Sequence, residues 1–389
     1  MVQSRGLGDV YKRQAPSFEW PKSDILNVTY NRVLPNDIDM TLTFLKSKEE
    51  EALYRIVDTG YPLIGDEPTV PTEKAPDGRP IYNQTGKYGY RAGLYNVCCG
   101  DREVFTASLS KAFRDGDTFV TLAYTAQDHQ NRSDMTSSTS NSNFGKTGAI
   151  DFNNRIKNRS TYETEHSLLM TLTSKHYFFG ANAPTTFSLV FSRESGNVKY
   201  PTFDTYTSWP GDYKSKAFGY EFNLNDDSSS LLYIPTANDP LVCYSYKCLS
   251  EGSAEAAERQ EEVINFLYNV WGLKDYAGKI APRDAGNFPW QSSLDLNIVQ
   301  EIPGFREGDS FVLTFALENL LNFIDDDKGI IRYGYYSGRV PVIDLRIVDN
   351  ERYDYSRNAF RYSFDDPFNI DRSTTQSLWR ASLGIQYKF

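Results

Sequence analysis

The chain has 389 residues, a formal net charge of −10, a mean hydropathy of −0.53 and 14% aromatic residues, among them 27 Tyr and 24 Phe. No segment approaches the roughly 18 continuous apolar residues of a membrane helix. That excludes a helical membrane protein but not a β-barrel, in which only alternate residues meet lipid. No strongly basic patch interleaves with the aromatics, which argues against a nucleic-acid partner.

The opening stretch, "MVQSRGLGDVYKRQ", lacks the apolar core of a signal peptide. It resembles translated adapter read-through at the end of a sequence assembly. Residues 1–14 are therefore set apart as an assembly artefact, and residues 15–389 are read as one unit. On this expectation natural sequence is missing before Ala15.

Nine alternating segments follow in order. The first is "ILNVTYNRV" (25–33), with Leu26, Val28 and Tyr30 opposite Asn27, Thr29 and Asn31. The second starts at "DMTLTF", with Met40, Leu42 and Phe44 against Thr41 and Thr43. Then come "VFTASLSKAF" (104–113), "TFVTLAYTA" (118–126), "SLLMTLTSK" (167–175), "TFSLVFS" (186–192), "SLDLNIVQ" (293–300) and "FVLTFALEN" (311–319). The ninth is the C-terminal "SLWRASLGIQYKF", where Trp379, Ala381, Leu383, Ile385, Tyr387 and Phe389 share one parity. Strands place alternate residues on opposite faces, so each segment has one apolar and one polar face.

Antiparallel sandwiches also alternate, so the pattern alone leaves two readings. The polar parity is rich in Ser, Thr, Asn and Gln, which suits an enclosed wet lumen. The connections decide further. "LPND", "RDGD", "GANAP" and "IPGFREGD" join strands 1–2, 3–4, 5–6 and 7–8 as short turns, while the intervening gaps run to dozens of residues. Long loops are uncommon in soluble domains. Strict alternation of short and long connections is the habit of an outer-membrane barrel, with short turns in the periplasm and long loops outside. The fold expected is all-β: an antiparallel up-and-down transmembrane β-barrel, of which this chain is the C-terminal portion, about nine strands of a larger ring.

Orientation follows from the same alternation. The ninth strand runs inward, and Phe389 ends at the periplasmic rim. Trp379 and Tyr387 lie about 20–26 Å apart along a tilted strand, matching the two aromatic girdles of a lipid-facing band. An odd count of nine fits a chain that starts mid-barrel, since bacterial barrels have even strand numbers.

In the longest connection, "SAEAAERQEEVINFLYNVWG" (253–272) predicts a helix capped by Ser253 and stopped by Gly272, with an apolar stripe of Ile264, Leu267 and Trp271. The four cysteines, Cys98, Cys99, Cys243 and Cys248, lie in polar stretches without zinc-site spacing. Disulfides are the better reading, and four cysteines allow three connectivities. Cys243 and Cys248 are the expected pair within one external loop, with cross-links to Cys98 and Cys99 as the alternative.

Catalytic chemistry finds little footing. His129, His166 and His176 form no nucleophile–base motif, and His166 and Ser167, adjacent in a strand, face opposite ways. No enzyme, cofactor or metal site is expected. The acidic runs Asp325–Gly329 and Asp365–Phe368 lack EF-hand spacing and read as solvated rims.

The order of segments resembles the C-terminal end of Oar-like TonB-dependent receptors. The resemblance rests on "YAGKIAPRDAGNFPWQSSLDLNIVQEIPGF" (276–305), "FVLTFALENLLNFIDDDKG" (311–329), "LWRASLGIQYKF" (378–389) and "SLLYIPT" (230–236). It covers most of residues 15–389, and 281–329 is its specific part. The "CC" at 98–99 has no counterpart in it. The resemblance implies an outer-membrane transporter of a Gram-negative bacterium that imports a large or scarce solute. In that family a plug domain and the TonB-contacting box lie upstream, so none of their residues is carried over. It also implies partners: outer-membrane lipid, the TonB system, an unknown solute, and the barrel-assembly machinery. The last would read an assembly signal of Trp379, Leu383, Ile385, Tyr387 and Phe389. The alternatives are a passive porin, a surface adhesion or assembly barrel, and an outer-membrane enzyme.

Overall fold

The computed structural model describes residues 11–56, 73–81, 91–135, 143, 147–151, 153–204, 230–244, 249, 252–333, 339–345, 353–354, 359–363 and 371–389. Its dominant feature is an antiparallel sheet of nine strands laid down in chain order. They are β1 (Ser23–Leu34), β2 (Ile38–Ile56), β3 (Arg91–Phe113), β4 (Thr118–Asn131), β5 (His166–His176), β6 (Thr185–Glu194), β7 (Gln291–Pro303), β8 (Ser310–Glu318) and β9 (Arg380–Lys388). Each pairs with the strand before and after it. Among the described residues β1 pairs only with β2 and β9 only with β8.

The register keeps each parity on one face across the whole sheet. Met40, Leu109, Leu122, Met170, Phe191 and Leu294 stand in one cross-strand row from β2 to β7. Phe187, Ile298, Phe315 and Leu383 continue the same face from β6 to β9. On the opposite face Thr29, Thr43, Thr106, Thr125 and Ser167 align from β1 to β5. Their hydroxyls bridge neighbouring strands, Thr29 to Thr43 at 3.3 Å and Thr106 to Thr125 at 3.1 Å. Thr41 donates to Asn31 at 2.8 Å, and Ser192 meets Ser293 at 2.9 Å. A one-residue slip in any strand would turn its apolar set onto the polar face, which is what fixes the register.

The four short turns share one end of the sheet. Asn36 and Asp37 turn β1 into β2, and Arg114 and Asp115 turn β3 into β4, all with positive φ. Gly180 (φ 106°) and Gly308 (φ 96°) supply the same backbone in the other two, where a side chain would be strained. The long connections all leave from the other end.

The hydrophobic core lies outside the nine strands. Leu232, Ile234, Tyr244, Val263, Leu267 and Ile343 are its centre, each at most 1% exposed. Ala75 enters it from the β2–β3 connection, Ala149 from β4–β5, and Val340, Val342 and Tyr362 from β8–β9. Short strands tie these together: Val198–Asp204 pairs in parallel with Arg339–Leu345, and Val242–Tyr244 with Ala359–Ser363. The long connections thus form one packed cap. By contrast the sheet's apolar face is uncovered: Leu383 is 81%, Ile385 71% and Leu26 57% exposed.

The helix α1 (Ala254–Asn265) starts at Ser253, whose hydroxyl accepts from the Ala256 backbone at 3.3 Å. A π-turn over Phe266–Val270 prolongs it, and Gly272 follows at φ 72°. Its buried side is Ala256, Val263, Phe266 and Leu267. Of the expected stripe, Leu267 is buried and Trp271 packs against the core, while Ile264 is only half-buried; Val263 and Phe266 complete the buried side.

Two further expectations are corrected. β2 and β3 run well beyond their alternating parts, because "KSKEEEALYRI" pairs with "RAGLYNVCCGDRE" through a register shift at Glu49/Glu51. Charged and apolar residues are mixed on both faces there, so no alternation marks these strands. Cys98 and Cys99, expected in a loop, lie in β3 and are bridged to each other, not to the later pair. Cys243 is disulfide-bonded and 1% exposed in the cap. Cys248, its expected partner, lies outside the described residues, as do Asp365–Phe368 and residues 1–10. Tyr11–Gln14, in the segment set apart as an artefact, pairs in parallel with Arg91–Leu94.

Candidate functional site

Three surfaces could carry function: the uncovered apolar face, the polar face behind it, and the cap. On the apolar face aromatic rings concentrate in two bands. At the turn end, Phe305 stands edge-on to Phe311 (5.4 Å), Phe311 lies against Tyr387 (4.7 Å), and Phe178 and Phe187 close on His176 at 5.1 and 5.8 Å. At the other end, His166 stacks between Tyr124 and Trp290, 6.0 Å from each. The Tyr124 hydroxyl meets His166 Nδ1 at 2.9 Å, and the Arg193 guanidinium lies 5.4 Å over Trp290. Trp379 packs edge-on against Phe323 at 5.1 Å in the same band. Leu, Ile, Val and Met, with Phe191 and Phe315, fill the space between. Tyr and Trp suit such margins because each has an apolar body and a polar tip.

The five residues of the expected assembly signal therefore occupy one face of β9 and its flanks. Trp379 belongs to one band, Tyr387 to the other, and Leu383 and Ile385 lie between, opposite Phe315 and Leu313. The Tyr387 hydroxyl donates to the Asp309 carboxylate in the last turn. Phe389 is 98% exposed.

Where the polar face meets the cap, charges are networked. Arg159 donates to Glu163 at 2.8 Å, to Glu165 at 3.2 Å and to the Asn287 side chain at 2.9 Å. Burial raises the Glu163 carboxyl above its ordinary range, opposed by the His129 backbone N–H and by Arg159. His129 belongs to this region, its backbone N–H donating to Glu163 at 2.8 Å. Ser167 donates to Glu194 at 3.3 Å, on the face opposite His166. Among the described residues no cluster of His, Cys, Asp and Glu is arranged to hold a metal ion.

The cap is clasped to the sheet by arginines. Arg283, 2% exposed, donates to the backbone oxygens of Asn131 (2.5 Å), Asn158 (3.0 Å) and Arg132 (3.3 Å), and to the Asn131 side chain at 2.9 Å. It joins the β6–β7 connection to both ends of the β4–β5 connection. Arg79 pairs with Asp77 at 2.6 Å, wholly buried, and donates to the Leu231 carbonyl at 2.7 Å. Glu51 accepts from the Arg132 backbone at 2.7 Å and its guanidinium at 3.1 Å. Tyr362 donates to the Tyr233 carbonyl at 2.6 Å, and Tyr233 to Asp239 at 2.9 Å. Burial raises both phenols well above their ordinary range.

None of these clasps was singled out from sequence. Arg283 stands in "IAPRDAG" and Arg79 in "APDGRP", so a buried partner for a Pro-flanked arginine was the available signal. Between β2, β3 and the β4–β5 connection a cleft of about 300 Å³ opens, lined by Leu53, Tyr95, Val97, Cys98, Arg132, Asn154 and Arg155. Its residues come from three elements, so no local pattern announces it.

Neither the models of known protein families nor the characterised proteins compared with this chain give a match.

Proposed function

We propose that the chain is part of a transmembrane β-barrel in a bacterial outer membrane, and that it serves a TonB-dependent receptor importing a large or scarce solute. The observation that carries the membrane reading is the uncovered apolar face. It runs unbroken over nine strands while the chain's hydrophobic core sits elsewhere, in the cap. A soluble protein rarely exposes a contiguous apolar patch of more than a few hundred Å². In a bilayer the same face meets hydrocarbon, the aromatic bands meet the two interfaces, and the Ser/Thr/Asn face lines a wet interior. The shared end for all four short turns supports a periplasmic rim, with the cap outside. The unpaired β1 and β9 are what a portion of a larger ring leaves, since an open edge in hydrocarbon costs several kcal/mol per unsatisfied backbone group.

The receptor reading rests on the resemblance in residues 230–236, 276–305, 311–329 and 378–389. The cap is in keeping with it, because long, packed connections can present a surface that recognises a solute. The test has two parts. The full reading frame, expressed in a Gram-negative host, should appear in the outer-membrane fraction as a heat-modifiable species; a soluble product would overturn the membrane reading. Its upstream region should encode a plug and a box that cross-links to TonB. A barrel without either would point to a porin or an adhesion barrel instead.

A further inference from the structure

The geometry points to a second function for the cleft at the tip of the β2–β3 arm: we propose that it is a capture site for a small carboxylate carrying an apolar ring or chain. This goes beyond the transport reading and does not depend on the solute imported. Tyr95 stands ten residues before Phe105, the first aromatic of the apolar face on β3, or about 30 Å along the strand toward the cap. The cleft is thus far from the sheet's apolar face and open to solvent.

Its chemistry is specific. The lining holds two guanidinium groups, an amide and a phenol, and no carboxylate. Arg132 is held from behind by Glu51, which takes both its backbone N–H and one guanidinium nitrogen. The Glu51 side chain is 8% exposed, so this clamp is set before any ligand arrives. Arg155 is anchored through Nη1 to the Thr147 carbonyl at 2.9 Å. Arginines fixed in this way cost little further side-chain entropy on binding. A planar guanidinium fork matches a carboxylate bidentately. The remaining wall is apolar or soft: Leu53, Val97, the Tyr95 ring and the sulfur of Cys98, which suit a ring or short chain. A volume of about 300 Å³ lies at the small end of ligand pockets, so a compact molecule is implied.

The test is calorimetric titration of the folded full chain in detergent micelles with benzoate, with its neutral analogue benzyl alcohol, and with inorganic phosphate. Benzoate should bind at least tenfold more tightly than either. Arg132→Gln should weaken it at least tenfold, and Arg132→Lys, which keeps the charge but loses the fork, should not restore it. Val97→Trp, which fills the cleft without touching an arginine, should abolish binding while the folded band on a gel is unchanged. No heat with millimolar benzoate, equal binding of benzyl alcohol or phosphate, or unaltered binding by Val97→Trp would each overturn the proposal. Loss of membrane insertion with benzoate binding intact would count against the transport reading alone.

Discussion

Phe389 makes almost no contact with the rest of the chain; its nearest ring, Tyr387, is 6.2 Å away. Packing within the chain gives no reason for an aromatic residue there; on the proposed barrel reading, recognition by a barrel-assembly machine would. Deleting Phe389 from the full-length protein should leave the sheet's internal hydrogen bonds intact yet lower the outer-membrane level several-fold. Quantitative blotting of the membrane fraction reads this, and an undiminished heat-modifiable band would count against it. Arg283 is the opposite case, important through what it holds. Its guanidinium serves three backbone carbonyls, and Arg283→Met would strand them without water. Hydrogen bonds from charged groups are worth about 1.5–3 kcal/mol, and unsatisfied buried acceptors add to the loss. The expected outcome is a cap destabilised by about 3 kcal/mol, with faster proteolysis within residues 132–165 and an unchanged β-sheet signal in circular dichroism.

At the scale of the element, alternation made the strands legible. Eight of the nine alternating segments lie within β1–β8, give or take a residue, because an apolar row on one face leaves a period of two in the sequence; the ninth begins three residues before β9, at the end of a short helical turn. The extensions of β2 and β3 were not legible, since faces that mix charged and apolar residues leave no period. Nor was the cleft, which three distant segments assemble. Helix α1 was visible through its cap, and Ser253→Ala should cost about 1 kcal/mol locally, measurable as faster hydrogen exchange over residues 254–258 only. The two faces of the sheet give a sharper test. Leu189 stands mid-strand on the apolar face, aligned with Leu172 and Leu296; Thr171, on β5, points to the other side. Leu189→Arg would place a cation near the bilayer midplane at a cost of about 2–4 kcal/mol, whereas Thr171→Arg would face the wet interior. The folded fraction in membranes should fall for the first and hold for the second. Equal effects would mean that neither face meets lipid.

For the whole molecule, the division between sheet and cap governs behaviour. The sheet's apolar face has no covering layer, and among the described residues β1 and β9 present free edges. Residues 15–389 refolded without detergent should aggregate, and a soluble monomer with one cooperative unfolding transition would defeat the barrel reading. The cap carries its own hydrophobic interior and its own short-strand pairings. Within micelles it should melt separately from the sheet, at lower temperature, since its packing does not call on the sheet's register.

The cap core also bears on how this protein would be seen from outside. Ala75, Ala149, Leu232 and Ile343 pack into one cluster though they come from four different connections. No single connection can therefore hold its folded shape in isolation. Antibodies raised against the intact surface should recognise discontinuous epitopes, and a synthetic peptide copied from any one connection should fail to compete for them. Sequence change in one connection would be constrained by the other three wherever it touches the shared interior, leaving the outward tips the freest to vary.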